Sequence, residues 1–339
     1  MSDGSTYLVT GGGGFIGSHI LKALRAQEPN CKLRAFQRSA NPGLEAMGVE
    51  VIQGDLQDPG AISRSCEGVE AVFHVAARAG IWGSWDDFYK PNVVGTRNVI
   101  YGCKSAMVPF LIYTSTPSVV FGGKPIRGGN ESLAYPEDWP FHYGHTKALA
   151  ESAVLDVHDP SGNGIQTVAL RPHLVWGPED PHIAPRLIDR TRKGRLRIVG
   201  DGSNRVDVTH VKNVAQAHVQ ALIALRAKQT GGKAYFLSDG EPVLLWEWIN
   251  TLLEGVGVPP LKRSISHGAA YRVGAILEWV FKTFKLKGEP PMTRFVASQL
   301  AEDHWFDISA ARLDLGYDPQ FNSKNSMEEL ISWCREQKL

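Results

Sequence analysis

The chain has 339 residues, of which 43% are hydrophobic and 21% charged, and its formal net charge is +1. This composition excludes a disordered chain and is typical of one large globular domain, or of a large domain with a smaller one. Lys and Arg are not gathered into a block, which argues against a dedicated nucleic-acid binder.

Short apolar runs alternate with helical stretches through the first half of the chain. The pattern predicts helices that include 19–27, 92–105 and 143–156, and strands at 6–10, 32–36, 49–53, 70–77, 110–116 and 166–172. Buried strands separated by helices indicate βαβ units and a parallel sheet, with helices on both faces. We therefore predict an α/β fold with a doubly wound parallel sheet over 1–176, which segments at about 205–240 rejoin. Most of 177–339 is predicted to form a smaller, mostly helical cap that binds the substrate.

A glycine-rich loop, TGGGGFIGSHI, follows the first predicted strand directly. Gly11 allows a tight turn, Gly14 lets the backbone approach a pyrophosphate, and Gly17 lets the next helix pack on the strand. The helix N-terminus then faces the phosphates. Because the motif lies between a strand and a helix, it predicts a Rossmann-type dinucleotide-binding loop.

The end of the second strand bears on which nicotinamide cofactor binds. Proteins that bind NAD usually carry an acidic residue there, whereas this chain has Gln37 followed by Arg38. A guanidinium group can bind a 2′-phosphate, so we predict NADP(H) rather than NAD(H), with an exposed loop arginine as the alternative. Asp55, in GDLQD at the end of the third strand, is expected to accept a hydrogen bond from the adenine amino group.

The segment FHYGHTKALAE places Tyr143 and Lys147 four residues apart, on one face of a predicted helix. By itself this spacing also fits a half-buried tyrosine and a solvated lysine at the start of an amphipathic helix. Several further segments have to be considered with it: TGGGGFIG, GDL, HVAA (74–77), NVVGT (92–96), YTST (113–116), YGHTK (143–147) and RPHLVWGP (171–178). In order and spacing, these resemble the extended short-chain dehydrogenase/reductase family over nearly the whole chain.

Within that family the sequence is similar to the 3β-hydroxysteroid dehydrogenase branch. Segments such as ARAGIWGSW and GEPPMTRF look most like the bacterial 2-alkyl-3-oxoalkanoate reductases of olefin biosynthesis in this branch. The resemblance implies NAD(P)-dependent interconversion of a secondary alcohol and a ketone. In the favoured hypothesis, a long-chain 2-alkyl-3-oxoalkanoate is reduced to the 3-hydroxy acid. The alternative is a 3β-hydroxysteroid or sterol-4-carboxylate 3-dehydrogenase; both substrates carry the alcohol β to a carboxylate.

The resemblance also implies roles for individual residues. Tyr143 would give the proton in reduction, Lys147 would hold the nicotinamide ribose, and Thr116, with Ser115 as the alternative, would hydrogen-bond the substrate oxygen. Since free tyrosine has a pKa near ~10, we expect Lys147 and an oxidised nicotinamide to lower the pKa of Tyr143. Further cofactor contacts are implied for Phe15, Ile16, Leu56, Ala76, Ala77 and Pro172.

Other candidates are less specific. Asn92 is expected to position a water or a backbone group, or to be only a polar residue at a helix start; Arg205 fits either a substrate carboxylate or a structural ion pair. His74, His142 and His145 are weaker acid–base candidates. Aromatic residues favour an apolar substrate and are candidates for its pocket wall: Trp82, Trp85, Phe121, Trp246, Trp279, Phe281, Phe284 and Phe295.

Two other classes are less favoured. Sugar-nucleotide epimerases retain NAD, which Gln37 and Arg38 disfavour, and dehydratases usually carry an acid beside the catalytic threonine, where this chain has Pro117. A non-catalytic nucleotide sensor would typically lack the tyrosine–lysine pair, which is present here.

Composition also bears on location and partners. Four distant cysteines predict thiols in a reducing compartment, with neither a metal site nor disulfides. No signal peptide and no apolar run of about 18 residues is evident, so we expect a cytoplasmic protein. The segment 269–288 fits either an amphipathic helix on a membrane surface or a cap helix over an apolar substrate, and we favour the second. A homodimer is common for this fold and is the expected assembly.

Overall fold

The computed structural model describes residues 4–339. The strands are β1 (Thr6–Thr10), β2 (Lys32–Gln37), β3 (Val49–Gln53), β4 (Ala71–His74), β5 (Phe110–Thr114), β6 (Ile126–Gly129), β7 (Gln166–Pro172), β8 (Val175–Trp176), β9 (Ile198–Val199), β10 (Arg205–Val206), β11 (Thr209–His210), β12 (Lys233–Leu237), β13 (Val243–Leu244), β14 (Ser264–Ile265) and β15 (His304–Phe306). The helices are α1 (Phe15–Gln27), α2 (Pro42–Ala46), α3 (Pro59–Ser65), α4 (Trp85–Tyr89), α5 (Gly95–Ser105), α6 (His142–Leu155), α7 (Ile183–Arg192), α8 (Val211–Arg226), α9 (Leu245–Gly255), α10 (His267–Thr283), α11 (Arg294–Ala301), α12 (Ser309–Leu315) and α13 (Ser323–Glu336). A π-helical turn, Lys90–Val94, joins α4 to α5, and a 3₁₀ turn, Pro117–Val120, follows β5.

Seven strands form one parallel sheet in the order β12-β7-β5-β4-β1-β2-β3. The predicted doubly wound α/β fold is therefore confirmed. From the central β1 the chain builds β2 and β3 on one side and then β4, β5, β7 and β12 on the other. This reversal of strand order opens a crevice at the carboxyl ends of β1 and β4, where ligands bind in folds of this kind.

Alternation along the buried strands divides the core between the two faces of the sheet. Tyr7 and Val9 of β1 lie in one apolar cluster, which also contains Leu24 of α1 and Leu222 of α8. Leu8, between them, lies in a second cluster with residues of α3 and α5. Both faces of the central strands are thus covered, as their nearly continuous apolar sequences require.

The C-terminal half is shared between the sheet and a separate core. Helix α8 and strand β12 pack into the doubly wound sheet, and Phe306 and Tyr317 also belong to its apolar cluster. A third cluster, which includes Trp176, Leu252 and Leu330, lies under α7, α9 and α13. The numerical domain boundaries remain predictions. Across residues 4–339, none of the helices has the length and apolar character needed to cross a bilayer.

Candidate active site

The glycine loop brings the backbone of β1 and α1 close to the end of β4. Gly11 has a φ of 70°, and a Cβ there would lie 3.0 Å from the Cα of Ala76. A Cβ on Gly17 would lie 2.2 Å from the carbonyl oxygen of Gly11, so only glycine allows this approach of α1. The N–H of Gly14 donates to the same oxygen (2.9 Å), and α1 begins directly afterwards. The small residues leave a bare helix N-terminus at the crevice, which fits a pyrophosphate.

A buried hydrogen-bond network fixes the end of β4 against this loop. The Oγ1 of Thr10 accepts from the backbone N–H groups of Val75 and Ala76, both at 3.2 Å, and lies 2.7 Å from Nδ1 of His74. The Thr96 hydroxyl donates to a backbone carbonyl (2.5 Å), so it accepts from Nε2–H of His74 at 2.9 Å. Burial lowers the pKa of His74 to about 3, which keeps the imidazole neutral. His74 is therefore part of this structural network.

Asn92 lies in the π-helical turn and is 1% exposed. Its amide oxygen accepts from the N–H of Arg78 (2.7 Å), while its nitrogen donates to the Arg78 carbonyl and to Oγ1 of Thr146, both at 3.1 Å. Of the two predictions for Asn92, the positioning of a backbone group matches these contacts. The amide joins the loop after β4 to helix α6 and fixes the backbone of Arg78.

The end of β2 faces the glycine loop. A Cβ on Gly13 would lie 2.5 Å from Oε1 of Gln37, whose amide nitrogen donates to the Ser39 carbonyl (2.7 Å). The next side chain, Arg38, is exposed to solvent. At the end of β3, the carboxylate of Asp55 is also exposed and accepts from the N–H of Gln57 at 2.8 Å.

Tyr143 and Thr116 meet at the carboxyl end of β5. Tyr143 lies in the first turn of α6, and Thr116 caps the 3₁₀ turn after β5, accepting from the N–H of Ser118 at 3.3 Å. Burial raises the pKa of Tyr143 to about 12, and the hydrogen bond with Thr116 opposes this shift. The expected lowering of this pKa by an oxidised nicotinamide stays a prediction. Ser115, the alternative to Thr116, is buried, and its N–H donates to the Leu170 carbonyl (2.6 Å).

Lys147 lies one turn further along α6 and is only 2% exposed. Its ammonium group donates to the carbonyl of Thr114 (2.7 Å) and lies 4.1 Å from the ring centroid of Tyr113. Burial lowers the pKa of Lys147 to about 7, and the carboxylate of Glu151 opposes this shift. Glu151 therefore favours the charged form of Lys147 against the effect of burial.

Sequence reasoning missed the buried ion pair beneath this lysine. Glu151, again one turn along α6, accepts two hydrogen bonds from Arg171 of β7, at 2.6 and 3.0 Å, and one from the Tyr135 hydroxyl at 2.6 Å. The guanidinium carbon of Arg171 lies 4.9 Å from the Phe236 ring centroid. The only sign of this ion pair in the sequence is that a carboxylate, Glu151, lies four residues after Lys147.

Aromatic side chains gather beside Tyr143. The Phe88 ring centroid lies 6.4 Å from that of Tyr143, and Phe295 of α11 lies 3.9 Å from Phe141. Phe121 also contacts Phe295 (5.6 Å). A further pair, Trp82 and Phe281 (6.4 Å), adjoins Phe88, because a Cβ on Gly83 would lie 3.0 Å from the Phe88 ring.

Three predicted wall residues lie elsewhere. Trp246 is 2% exposed within the apolar C-terminal core, and its indole N–H donates to the Leu300 carbonyl. Trp279 and Phe284 are 62% and 65% exposed. Helical periodicity alone does not show which face of a cap helix turns inward.

The remaining predicted residues also have clear positions. Phe15 and Ile16 open α1, Leu56 follows β3, Ala76 and Ala77 follow β4, and Pro172 ends β7. Trp85 contacts the rings of His142 and His145, and His145 also stacks on Trp139 at 4.8 Å. The Arg205 side chain is exposed. The carboxylate of Asp303 forms its ion pair with Arg127 rather than with Arg205.

A nucleotide-binding crevice beside a tyrosine, a threonine and a buried lysine defines a NAD(P)-dependent dehydrogenase/reductase. The model of the 3-beta hydroxysteroid dehydrogenase/isomerase family matches residues 8–266, and the chain belongs to this family, as its sequence predicts. A 2-alkyl-3-oxoalkanoate reductase of Stenotrophomonas maltophilia is 47% identical over 326 residues, which cover 95% of this chain and 97% of that protein. A Mus musculus sterol-4-alpha-carboxylate 3-dehydrogenase, decarboxylating, is 33% identical over 327 residues, 95% of this chain and 89% of that protein. Among solved structures, MoeE5 in complex with UDP-glucose and NAD matches with a TM-score of 0.75 at 25% identity, over 99% of this chain and 100% of that chain.

Proposed function

We propose that this protein is an NADP(H)-dependent reductase that converts a long-chain 2-alkyl-3-oxoalkanoate to the 3-hydroxy acid. The arrangement of Tyr143, Thr116 and Lys147 at the carboxyl end of β5 supports ketone reduction most directly. With a pKa raised to about 12, the Tyr143 phenol is protonated at neutral pH and can give its proton to a ketone oxygen. Thr116 orients the phenol, and the bound nicotinamide would supply the hydride.

The proton transfer is tested with Tyr143→Phe, which keeps the ring and removes only the hydroxyl. General acid catalysis is worth roughly 10²–10⁴-fold, so we expect kcat to fall by that factor while NADPH still binds. The matched control is Tyr101→Phe, on α5, where the side chain is 58% exposed. Turnover at the wild-type rate in Tyr143→Phe, with NADPH binding intact, would contradict the assignment of the proton donor.

The preference for NADP(H) rests on Arg38. No acidic residue ends β2, and the exposed guanidinium follows a glutamine that faces the glycine loop. Hydrogen bonds to charged groups are worth about 1.5–3 kcal/mol, so Arg38→Leu is expected to raise the KM for NADPH roughly 10–100-fold while that for NADH changes little. Arg195→Leu, at an exposed position after α7, should change neither. An equal effect on both cofactors, or on neither, would refute the proposed role of Arg38.

The substrate carboxylate requires a cation near the aromatic cluster, and we assign Arg78 to this role. Asn92 fixes the backbone of Arg78, and the guanidinium carbon lies 5.6 Å from the ring centroid of Phe88, which neighbours Tyr143. Arg78→Leu is therefore expected to raise the KM for the free acid about tenfold or more and to leave the KM for its methyl ester unchanged. Equal changes for acid and ester would show that Arg78 does not read the carboxylate.

The choice of carbon skeleton is tested directly. The purified protein is supplied with NADP⁺ and, in parallel, a 2-alkyl-3-hydroxy acid or a 3β-hydroxysteroid, and nicotinamide reduction is followed by absorbance. Preference for the acyclic acid supports the proposal. The aromatic cluster would then be the part of the site that holds the alkyl chain. Preference for the steroid would make the protein a 3β-hydroxysteroid dehydrogenase with the same proton donor.

A further inference from the structure

Helix α10 presents an unusual outer face to solvent. Ile276 and Trp279 are 61% and 62% exposed, and Phe284, just past the helix end, is 65% exposed. Val273 and Leu286 extend this patch at the two ends. Exposed apolar residues of this size in one patch are characteristic of an interaction surface. We call these five residues the α10 outer face.

The opposite side of the same helix is held firmly against the protein. Glu278 accepts from the backbone N–H of Arg294 (2.6 Å) and pairs with its guanidinium group (2.8 Å), which joins α10 to α11. Phe281 contacts Trp82 in the aromatic cluster beside the active site. The outer face is therefore fixed in place, on the side of α10 opposite Glu278 and Phe281.

Cations surround the α10 outer face. Arg272, Lys282, Lys285 and Lys287 are all exposed, whereas the one carboxylate within 269–288, Glu278, is neutralised by Arg294. None of the three lysines has an ion-pair partner among residues 4–339. Apolar side chains that include tryptophan, with lysines beside them, are the combination that binds at an anionic lipid interface.

We propose that the α10 outer face docks on an anionic lipid bilayer surface. The charges disfavour a second copy of this chain, because a two-fold symmetric contact would bring two identical sets of cations together. Docking would place the aromatic cluster beneath α10 next to the lipid, although the binding itself does not depend on the proposed substrate. The helix would lie in the interface and not span it.

The test is sedimentation of the full chain with phosphatidylcholine vesicles that contain or lack phosphatidylserine. We expect binding only to the anionic vesicles, and weaker binding at high salt. Each lysine near such a surface contributes roughly fivefold in affinity, so the triple variant Lys282→Gln, Lys285→Gln, Lys287→Gln should bind about 100-fold more weakly. The double variant Ile276→Ser, Trp279→Ser should lose at least about tenfold.

The matched control is the double variant Met107→Ser, Leu313→Ser, which removes two apolar residues that are 87% and 85% exposed elsewhere. It should bind like the wild type. Absence of binding to anionic vesicles, or an equal loss in this control, would overturn the proposal. So would light scattering that shows a dimer dissociated by Ile276→Ser, Trp279→Ser with vesicle binding unchanged, since the face would then be a protein interface.

Discussion

Removal of the charge from Glu151 should destabilise the protein strongly. Glu151 and Arg171 side chains are 0% and 5% exposed, and two hydrogen bonds join them at 2.6 and 3.0 Å. Glu151→Gln preserves the shape of the side chain but leaves the guanidinium charge buried without a counter-ion. Breaking a buried pair in this way costs about 3–5 kcal/mol, so we expect the free energy of unfolding to fall by that amount.

Urea unfolding at pH 7, followed by circular dichroism, measures this loss. The control is Glu50→Gln, which breaks a pair with Arg34 at 2.8 Å, but Glu50 is 61% exposed, so the expected loss is only about 0–1 kcal/mol. The double variant Glu151→Leu, Arg171→Met removes both charges and should be more stable than Glu151→Gln alone. A loss below about 1 kcal/mol in Glu151→Gln would refute the argument that the uncompensated charge dominates.

Two further predictions concern stability and the nucleotide loop. Burial lowers the pKa of His218 to about 4, below its unfolded value of 6.5, so its stabilising contribution is present above pH 6.5 and is lost as the pH falls toward 4. By pH 5 this lowers the free energy of unfolding by about 2 kcal/mol. In urea unfolding, His218→Gln should therefore show a decrease in stability toward pH 5 that is smaller by that amount. A decrease as large as that of the wild type would contradict the argument. In Gly17→Ala the new Cβ would meet the Gly11 carbonyl at 2.2 Å, so NADPH affinity by fluorescence titration should fall at least about tenfold. Gly268→Ala, with nothing within 4 Å of the new Cβ, is the control, and equal affinities of the two variants would refute a steric role for Gly17.

The sheet could be predicted well because its signals are local. β1, β3 and β7 begin and end at the predicted residues, since each is a short apolar run bounded by turn residues. The predicted strand at 70–77 was too long, because after His74 the backbone turns to bind Thr10 and Asn92, which are distant in sequence. In the C-terminal half, the outer and inner faces of α10 both carry aromatic residues, so periodicity could not separate them.

The active-site residues likewise divide into those with a local sequence signal and those that only tertiary contacts reveal. The glycine loop and the tyrosine–lysine pair each occupy a few consecutive residues, and their spacing alone suggests their chemistry. The Glu151–Arg171 pair and the clamp of Asn92 on Arg78 join residues 20 and 14 positions apart, and only the tertiary structure brings them together. The effect of burial on the Tyr143 pKa could not be predicted, because desolvation depends on the tertiary structure, which no motif specifies.

Three residues that bear on the proposed chemistry form one stripe along helix α6. Tyr143, Lys147 and Glu151 follow one another at four-residue intervals, so they share a helix face from the open crevice to the buried Arg171. Burial favours the neutral form of both the phenol and the amine, and Glu151 favours the charged form of the amine. A protonated phenol suits proton donation to a ketone, whereas oxidation of an alcohol would first require its ionisation. A positive charge near Tyr143, such as that of a bound oxidised nicotinamide, would lower the pKa of the phenol and so ease proton transfer in either direction.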